Sequence, residues 1–208
     1  MPKLLYQGHG SFRLEADDGR VIFVDPFAGE GYDKPADIIL ITHQHGDHNQ
    51  ARLCARNPGC RVITNAEALA GGEYNSFDLG GVGIRAVEAR NENHDPAQCV
   101  GYIVELGGVK VYAAGDTSRT EQMGSFAAMG LDYALLPGDG VYNMGPPEAA
   151  ECARAIGAKH NILIHMKPGA LFDRAIADSW DAPGKLVVEP GEEIELSLAP
   201  GRAVCIQC

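Results

Sequence analysis

No stretch of this sequence stays apolar for anything near the roughly 20 residues that a membrane-spanning helix needs. The opening Met1-Pro2-Lys3-Leu4-Leu5-Tyr6 also turns polar before a secretory leader could form. These two absences lead to the expectation of a cytoplasmic protein without a membrane partner. Basic residues are scarce: 17 Lys and Arg stand against 28 Asp and Glu, a formal net charge of −11. A general nucleic-acid binder needs a basic footprint, so a nucleic-acid partner is disfavoured. An anionic small substrate stays open, because a metal ion makes its own local positive field. Paired cysteine motifs are missing too. Cys54, Cys60, Cys99, Cys152, Cys205 and Cys208 are scattered and, with no secretory context, are expected as reduced thiols. The lone C-x-x-C at Cys205 and Cys208 has no second pair of the kind structural zinc sites use. No linker, low-complexity tract or repeat divides the chain. Its 208 residues, 45% hydrophobic and 22% charged, are read as one domain over residues 1–208, with a substantial core. Self-association into a homo-oligomer is left open.

What the chain does have is concentrated. Asp37-Ile38-Ile39-Leu40-Ile41-Thr42 is an aliphatic, β-branched run, read as a strand buried on both faces. It stops at His43-Gln44-His45-Gly46-Asp47-His48, where three of the chain's seven histidines lie. Residues two apart project to the same side of an extended chain, so His43 and His45 leave the strand end together. Gly46 permits a sharp turn that brings Asp47 and His48 round from another direction. Other strand ends repeat the pattern, with Asp25 after Val21–Val24, Asp116 after Val109–Ala113 and His165 after Asn161–Ile164. His94 sits alone in the polar loop Asn91–Pro96. On the residues alone, Asp25 either supports the histidine loop or forms a turn. Asp116 is either a metal ligand or the cap of a helix starting near Thr120. His9 either lines the mouth of a site or satisfies nearby backbone groups.

The remaining elements follow from pattern and punctuation. Leu4–Tyr6 and Phe12–Glu15 read as strands, and Asp17-Asp18-Gly19 as a hairpin turn before Val21–Val24. Asn49–Arg56 reads as a helix stopped by Asn57-Pro58-Gly59. Arg61–Thr64 reads as a strand, Ala66–Ala70 as a short helix broken by Gly71-Gly72, and Val82–Val87 as a strand. Val100–Leu106 and Val109–Ala113 form a hairpin across Gly107-Gly108, and Asp132–Pro137 is another strand. Pro146-Pro147-Glu148 opens a helix that runs to Ile156 and ends at Gly157. Lys185–Val188 and Glu192–Leu196 are small terminal strands joined by Pro190-Gly191.

His-x-His-x-Asp-His after an apolar strand resembles the signature of the metallo-β-lactamase superfamily. Asp25, His94, Asp116 and His165 stand in that family's order, so the resemblance covers nearly the whole chain. Gly8-His9-Gly10-Ser11-Phe12 and the residues around Asp116 are most similar to the ascorbate-6-phosphate lactonase-like branch. The resemblance implies an α+β fold, the four-layer αββα sandwich of two β-sheets with helices outside. It implies two divalent ions, about 3.5–4 Å apart. His43, His45 and His94 would hold the first, Asp47, His48 and His165 the second, with Asp116 bridging and Asp25 supporting the ligands. Zinc suits the nitrogen-rich first site, and zinc, manganese or ferrous iron the second. A glutamate in place of His45 would point to the family's di-iron redox branch, so histidine there argues for hydrolysis. The expected activity is attack by a metal-bridging hydroxide on a small, anionic ester, lactone or phosphodiester, with Asp47 orienting the nucleophile or carrying its proton. The alternatives are a regulatory metal-binding member without turnover and a phosphodiesterase of RNA or nucleotides. The absence of room for a large inserted arm weakens a tRNA-processing role. Asp139, Tyr142, Asn143 and Met144 are expected at the mouth of the cleft. Lys167 either meets a substrate carboxylate or phosphate or faces solvent. Met166 stands where family members often carry tyrosine, so the resemblance does not carry ascorbate-phosphate specificity over to this chain.

Overall fold

The aliphatic runs fold into two sheets, seen in a computed structural model that describes residues 1–198. In the first, β1 (Lys3–Gly8), β2 (Ser11–Glu15), β3 (Val21–Val24), β4 (Ala36–Leu40) and β5 (Arg56–Ile63) lie side by side in chain order. The second takes β6 (Ser76–Asp78), β7 (Gly83–Glu88), β8 (Val100–Leu106), β9 (Val109–Ala113), β10 (Tyr133–Pro137), β11 (His160–Ile164) and β12 (Lys185–Leu186). A last strand, β13 (Glu193–Glu195), returns to pair with β1.

Strand direction decides where the polar loops go. β3, β4 and β5 are parallel, and β1 runs the same way because β2 is antiparallel to both of its neighbours. In the second sheet β9, β10, β11 and β12 are parallel, and β7 shares their direction through antiparallel β8. The strands followed by His9, Asp25, His43, His94, Asp116 and His165 therefore end at one edge of each sheet. Loops at the carboxyl ends of a rigid sheet are where α/β scaffolds collect ligand-binding groups.

The period of two along each strand sorts the core into layers. Leu4, Tyr6, Leu14, Ile22, Ile38 and Leu40 of the first sheet meet Ile84, Tyr102, Val104, Val111, Leu135 and Ile162 of the second. Alternate residues of the second sheet, such as Ile103, Tyr112, Leu136 and Leu163, face outward onto a helical layer. That layer contains α2 (Pro146–Ile156), which presents Ala149, Cys152, Ala153 and Ile156 and stops where Gly157 takes φ +68°. A shorter helix, α1 (Asn65–Ala68), is closed by a Thr64–Glu67 capping box, and α3 (Arg174–Ser179) by the Asp173 side chain.

Three expectations change. Residues 49–56 form a single 3₁₀ turn, Ala51–Leu53, because Ala55 and Arg56 are drawn into pairing with Ala36 and Leu53 stays exposed. The outer layer of the first sheet is therefore this turn and the loop carrying Tyr32, packed on Phe23 and Ile39. Asn57-Pro58-Gly59 lies inside β5, where the pairing shifts register and Asn57 Nδ2 donates to Asp37 Oδ1 at 2.8 Å. The two terminal strands are shorter than expected, Lys185–Leu186 and Glu193–Glu195; β12 joins β11 and β13 joins β1, so Pro190-Gly191 carries the chain between sheets. β6 and α3 carry too little apolar periodicity to stand out in the sequence. Among the described residues no helix is long and apolar enough to cross a membrane. Cys54, Cys60, Cys99 and Cys152 carry free thiols, while Cys205 and Cys208 lie outside the described residues.

Candidate metal centre

The loops at the common edge converge. His43, His45 and His94 each present a ring nitrogen, the three within 4.8 Å of one another. His43, His48 and Asp116 do the same, and so do His9, Asp47, His48 and His165. Asp116 lies between the groups: Oδ1 is 3.2 Å from His48 Nε2, and Oδ2 is 3.4 Å from His94 Nε2 and 3.5 Å from His165 Nε2.

Four of the rings, those of His43, His48, His94 and His165, have an oxygen close behind the outer nitrogen. His48 Nδ1 donates to Asp25 Oδ2 at 2.9 Å, and Asp25 also accepts from the Thr42 amide and hydroxyl at 2.7 and 2.6 Å. With its own proton given to Asp25, Thr42 Oγ1 accepts from His43 Nδ1 at 3.0 Å. His94 Nδ1 donates to Asn91 Oδ1 at 2.8 Å, and His165 Nδ1 lies 2.9 Å from Asp139 Oδ2. Asn143 links the last two sets, accepting from Asn91 Nδ2 and donating to Asp139 Oδ2. A carboxylate or carbonyl behind a histidine is the arrangement that sets its tautomer and aims the other nitrogen's lone pair at a metal.

His94 Nε2 lies 3.2 Å from His45 Nδ1, and the other inner atoms of these rings find no hydrogen-bond partner. His43 Nε2, His48 Nε2, His165 Nε2 and Asp116 Oδ1 are buried without a hydrogen-bond partner. Each such group costs about 1–3 kcal/mol, and four at one point, all acceptors once His48 and His165 give up their protons, fit a divalent cation. The backbone carries strain at the same place. His9, Asp25 and His165 take φ of +56°, +47° and +45°, the positive values found at non-glycine residues among those described. Left-handed φ at such residues costs about 1–3 kcal/mol and is held at functional sites by surrounding contacts. Gly10 is needed for close approach, since a Cβ there would stand 2.7 Å from His48 Cε1. Gly46 is not: a Cβ would meet nothing within 4 Å, and the turn is closed instead by His48 N donating to His45 O at 3.0 Å.

Electrostatics divides the rings. Burial, followed by the neighbouring His48, holds His43 down to about 2, and burial also lowers His94. Burial disfavours charge on His48, but Asp116 and Asp25 outweigh it and raise the ring well above its ordinary value. His165 is likewise opposed by burial and pushed up to about 9 by Asp139 and Asp47. In return, His165 and His9 hold Asp47 well below the usual carboxylate range. Burial would raise Asp116, yet His48 and His165 keep it well below that range. Without an ion, the carboxylates hold protons on His48 and His165 where a metal would replace them.

The expected ligands and Asp25 are thus brought together, and other expectations move. His9 is not at the mouth: it is 3% exposed, with Nε2 3.1 Å from Asp47 Oδ2 and Nδ1 donating to Ala170 O at 3.1 Å. The Asp139 side chain is buried rather than lining the cleft, and also accepts from the amides of Val141, Tyr142 and Asn143. Asn143 is 7% exposed and Met144 lies in the outer core. Lys167 faces solvent, its side chain 59% exposed, and pairs with Asp173 at 3.6 Å. Tyr142 does line a cleft of about 200 Å³, with His45, Asp47, Asn93 and Asp116. A second cleft of about 190 Å³ opens on the far side of His45 and His94, between Gln44, Asn65 and Gln98. Two larger hollows, beside Met129 and beside Trp180, touch none of these residues. Thr42, Asn91 and Asn93 escaped the sequence reading. Thr42 and Asn93 adjoin a histidine in the chain and Asn91 lies three residues from one, and nothing else in the sequence marks them.

Comparison with known proteins agrees with this geometry. A family model described as a beta-lactamase superfamily domain matches residues 3–166. A protein named UPF0173 metal-dependent hydrolase from Thermococcus kodakarensis is 31% identical, over 94% of this chain and 100% of its own. One of the same name from Rubrobacter xylanophilus is 33% identical, over 92% and 96%. Among solved structures the chain shares its fold with Igni18, a metallo hydrolase from Ignicoccus hospitalis. The TM-score is 0.72 at 24% identity, over 93% of this chain and 97% of that one.

Proposed function

The chain belongs to the beta-lactamase superfamily, among its metal-dependent hydrolases of the metallo-β-lactamase fold, and from that premise we propose that it is a two-metal hydrolase of small esters, lactones or phosphodiesters. One observation carries the reading: buried, unpartnered nitrogen and oxygen atoms from three separate loops converge on one point. His43, His45 and His94 would hold one ion, Asp47, His48 and His165 the other, and Asp116 would stand between them. The first donor set is all nitrogen and suits zinc. The second includes a carboxylate and accepts zinc, manganese or ferrous iron. Bound ions would lower the pKa of water towards about 7 and polarise the scissile carbonyl or phosphoryl oxygen.

The protein's own groups supply the rest. Asp47 is 38% exposed and borders the cleft, so it can orient the attacking water by accepting its hydrogen bond. Because His165 and His9 hold it ionised, it orients the water rather than storing its proton. Asp25, Thr42, Asn91 and Asp139 keep the rings aimed, so little reorganisation remains for the reaction. Tyr142 and Asn93 border the cleft on its open side and would hold the part of the substrate that leaves. The ester, lactone and phosphodiester classes follow from the resemblance to the lactonase-like branch, and the partner is a small molecule.

A panel of p-nitrophenyl esters, lactones and bis-p-nitrophenyl phosphate, assayed with zinc or manganese, separates carbonyl from phosphoryl chemistry. Turnover that Asp116→Ala abolishes while the fold survives supports the hydrolase. Metal binding with no turnover across all three substrate classes would favour a regulatory member of the fold.

A further inference from the structure

His9 belongs to the loop after β1, outside the His43–His48 loop, yet its ring is built like those of the ligands. The Ala170 carbonyl can only accept, so His9 Nδ1 must donate to it at 3.1 Å. A neutral imidazole then has a lone pair at Nε2. That atom faces Asp47 Oδ2 at 3.1 Å and falls within 4.8 Å of the ligand atoms of His48 and His165. Two acceptors held this close need a positive charge between them, a proton on Nε2 when the site is empty or a metal ion when it is filled. An oxygen behind one ring nitrogen, with the other aimed at the centre, is also what fixes His43, His48 and His94.

The backbone shows that this placement is enforced. His9 takes φ +56°, a strained value for a ring-bearing residue. Its amide donates to Leu171 O at 2.6 Å, and its carbonyl accepts from the His165 amide and from Tyr6 Oη, each at 2.9 Å. The flanking Gly8 and Gly10 leave no room for a side chain, as a Cβ would stand 2.9 Å from Leu171 Cβ or 2.7 Å from His48 Cε1. The ring itself packs on His165, centroids 3.7 Å apart, and on Phe27 at 5.5 Å. Three backbone bonds, two glycines and a buried carbonyl acceptor all serve to point one nitrogen at one place.

We propose that His9 is a further ligand of the second metal ion, binding it through Nε2 beside Asp47, His48 and His165. The inference rests on the two-ion reading above and adds a donor to it. The second site then offers three ring nitrogens as well as carboxylate oxygen, which shifts its preference from manganese towards zinc or ferrous iron.

The test uses His9→Asn, which tolerates the left-handed backbone, and His9→Phe, which keeps the ring. Metal-free protein is titrated with zinc against a chromophoric chelator and, separately, with cobalt(II) followed by its visible absorption. Two ions in the parent, with one bound about 100-fold more weakly in both variants, its cobalt spectrum altered and the other ion unchanged, is the expected result. Two ions in the parent and the same affinities and spectra in the variants would overturn the ligand role and leave the two-ion reading standing. So would a loss of turnover alone, which would make His9 a residue that only orients Asp47. Fewer than two ions in the parent would overturn both. Should either variant misfold, ¹¹³Cd-loaded parent protein with ¹⁵N-labelled histidine decides the matter: a cadmium–nitrogen coupling at His9 Nε2 is expected, and its absence beside couplings from His48 and His165 refutes the inference.

Discussion

Asp25→Asn should separate the supporting carboxylate from the ligands it supports. Asp25 is 1% exposed and accepts three hydrogen bonds, from the Thr42 amide, the Thr42 hydroxyl and His48 Nδ1. Asparagine keeps the size and is among the residues that tolerate φ near +47°. It replaces one acceptor oxygen with an NH₂ group. Whichever way the amide turns, an N–H faces another N–H, that of Thr42 or that of His48. Leaving a buried donor unsatisfied costs about 1–3 kcal/mol. For a domain of this size each kcal/mol lowers Tm by about 2–4 °C, so the metal-free variant should melt about 2–12 °C lower. Loss of a carboxylate behind a ligating histidine typically weakens metal binding about 10–100-fold. The assay pairs thermal unfolding in chelator with zinc affinity by competition. A variant with the parent's Tm and the parent's metal affinity would show that Asp25 neither holds nor aims His48, and the argument from the outer ring nitrogens would fail with it.

Asp47→Asn should lower kcat more than it lowers metal content, because the amide offers one acceptor oxygen where the carboxylate offers two; full rescue by added zinc or manganese would reduce Asp47 to a ligand. Gly10→Ala should weaken metal binding with little loss of secondary structure, because the new methyl drives into His48 Cε1; unchanged zinc affinity would contradict that close approach. The metal-free protein should lose stability with rising pH on the alkaline side. His165 is raised from about 6.5 in the unfolded chain to about 9 when folded. Its contribution is therefore fully present below about pH 6.5 and lost as pH passes through about 9. Thermal unfolding in chelator should show this decline, and saturating zinc should remove it, since the ion takes the proton's place. A flat profile in chelator would refute the partnership of His165 with Asp139 and Asp47.

How far the sequence disclosed this site depends on the kind of signal. The ligands were legible because a metal needs particular atoms, and His43, His45, Asp47 and His48 crowd one loop after an aliphatic strand. Asp116 and His165 stood out for the same reason, at the ends of β9 and β11. The sequence suggests a helix over residues 49–56 because Ala51, Cys54 and Ala55 suit one locally, while pairing with Ala36 claims the end of the segment for β5. Asp139 reads as a residue of the mouth because a loop carboxylate after a strand looks alike in sequence whether it faces solvent or a histidine. Only the fold brings it within 2.9 Å of His165 Nδ1. His9 was ambiguous for a related reason, since its partners, Ala170 and Asp47, lie far away in the chain. Thr42 and Asn91 act through one hydrogen bond each to a histidine, and no composition or period marks such a residue.

Metal content measured by elemental analysis, on protein purified without chelator and then titrated with zinc and manganese, bears most directly on the central claim. Two ions per chain, lost together with turnover on dialysis against chelator and regained with it, is the predicted result. A chain that carries no metal and takes up none on titration would mean that the converging nitrogens and oxygens of His43, His48, His165 and Asp116 serve some purpose other than holding a metal.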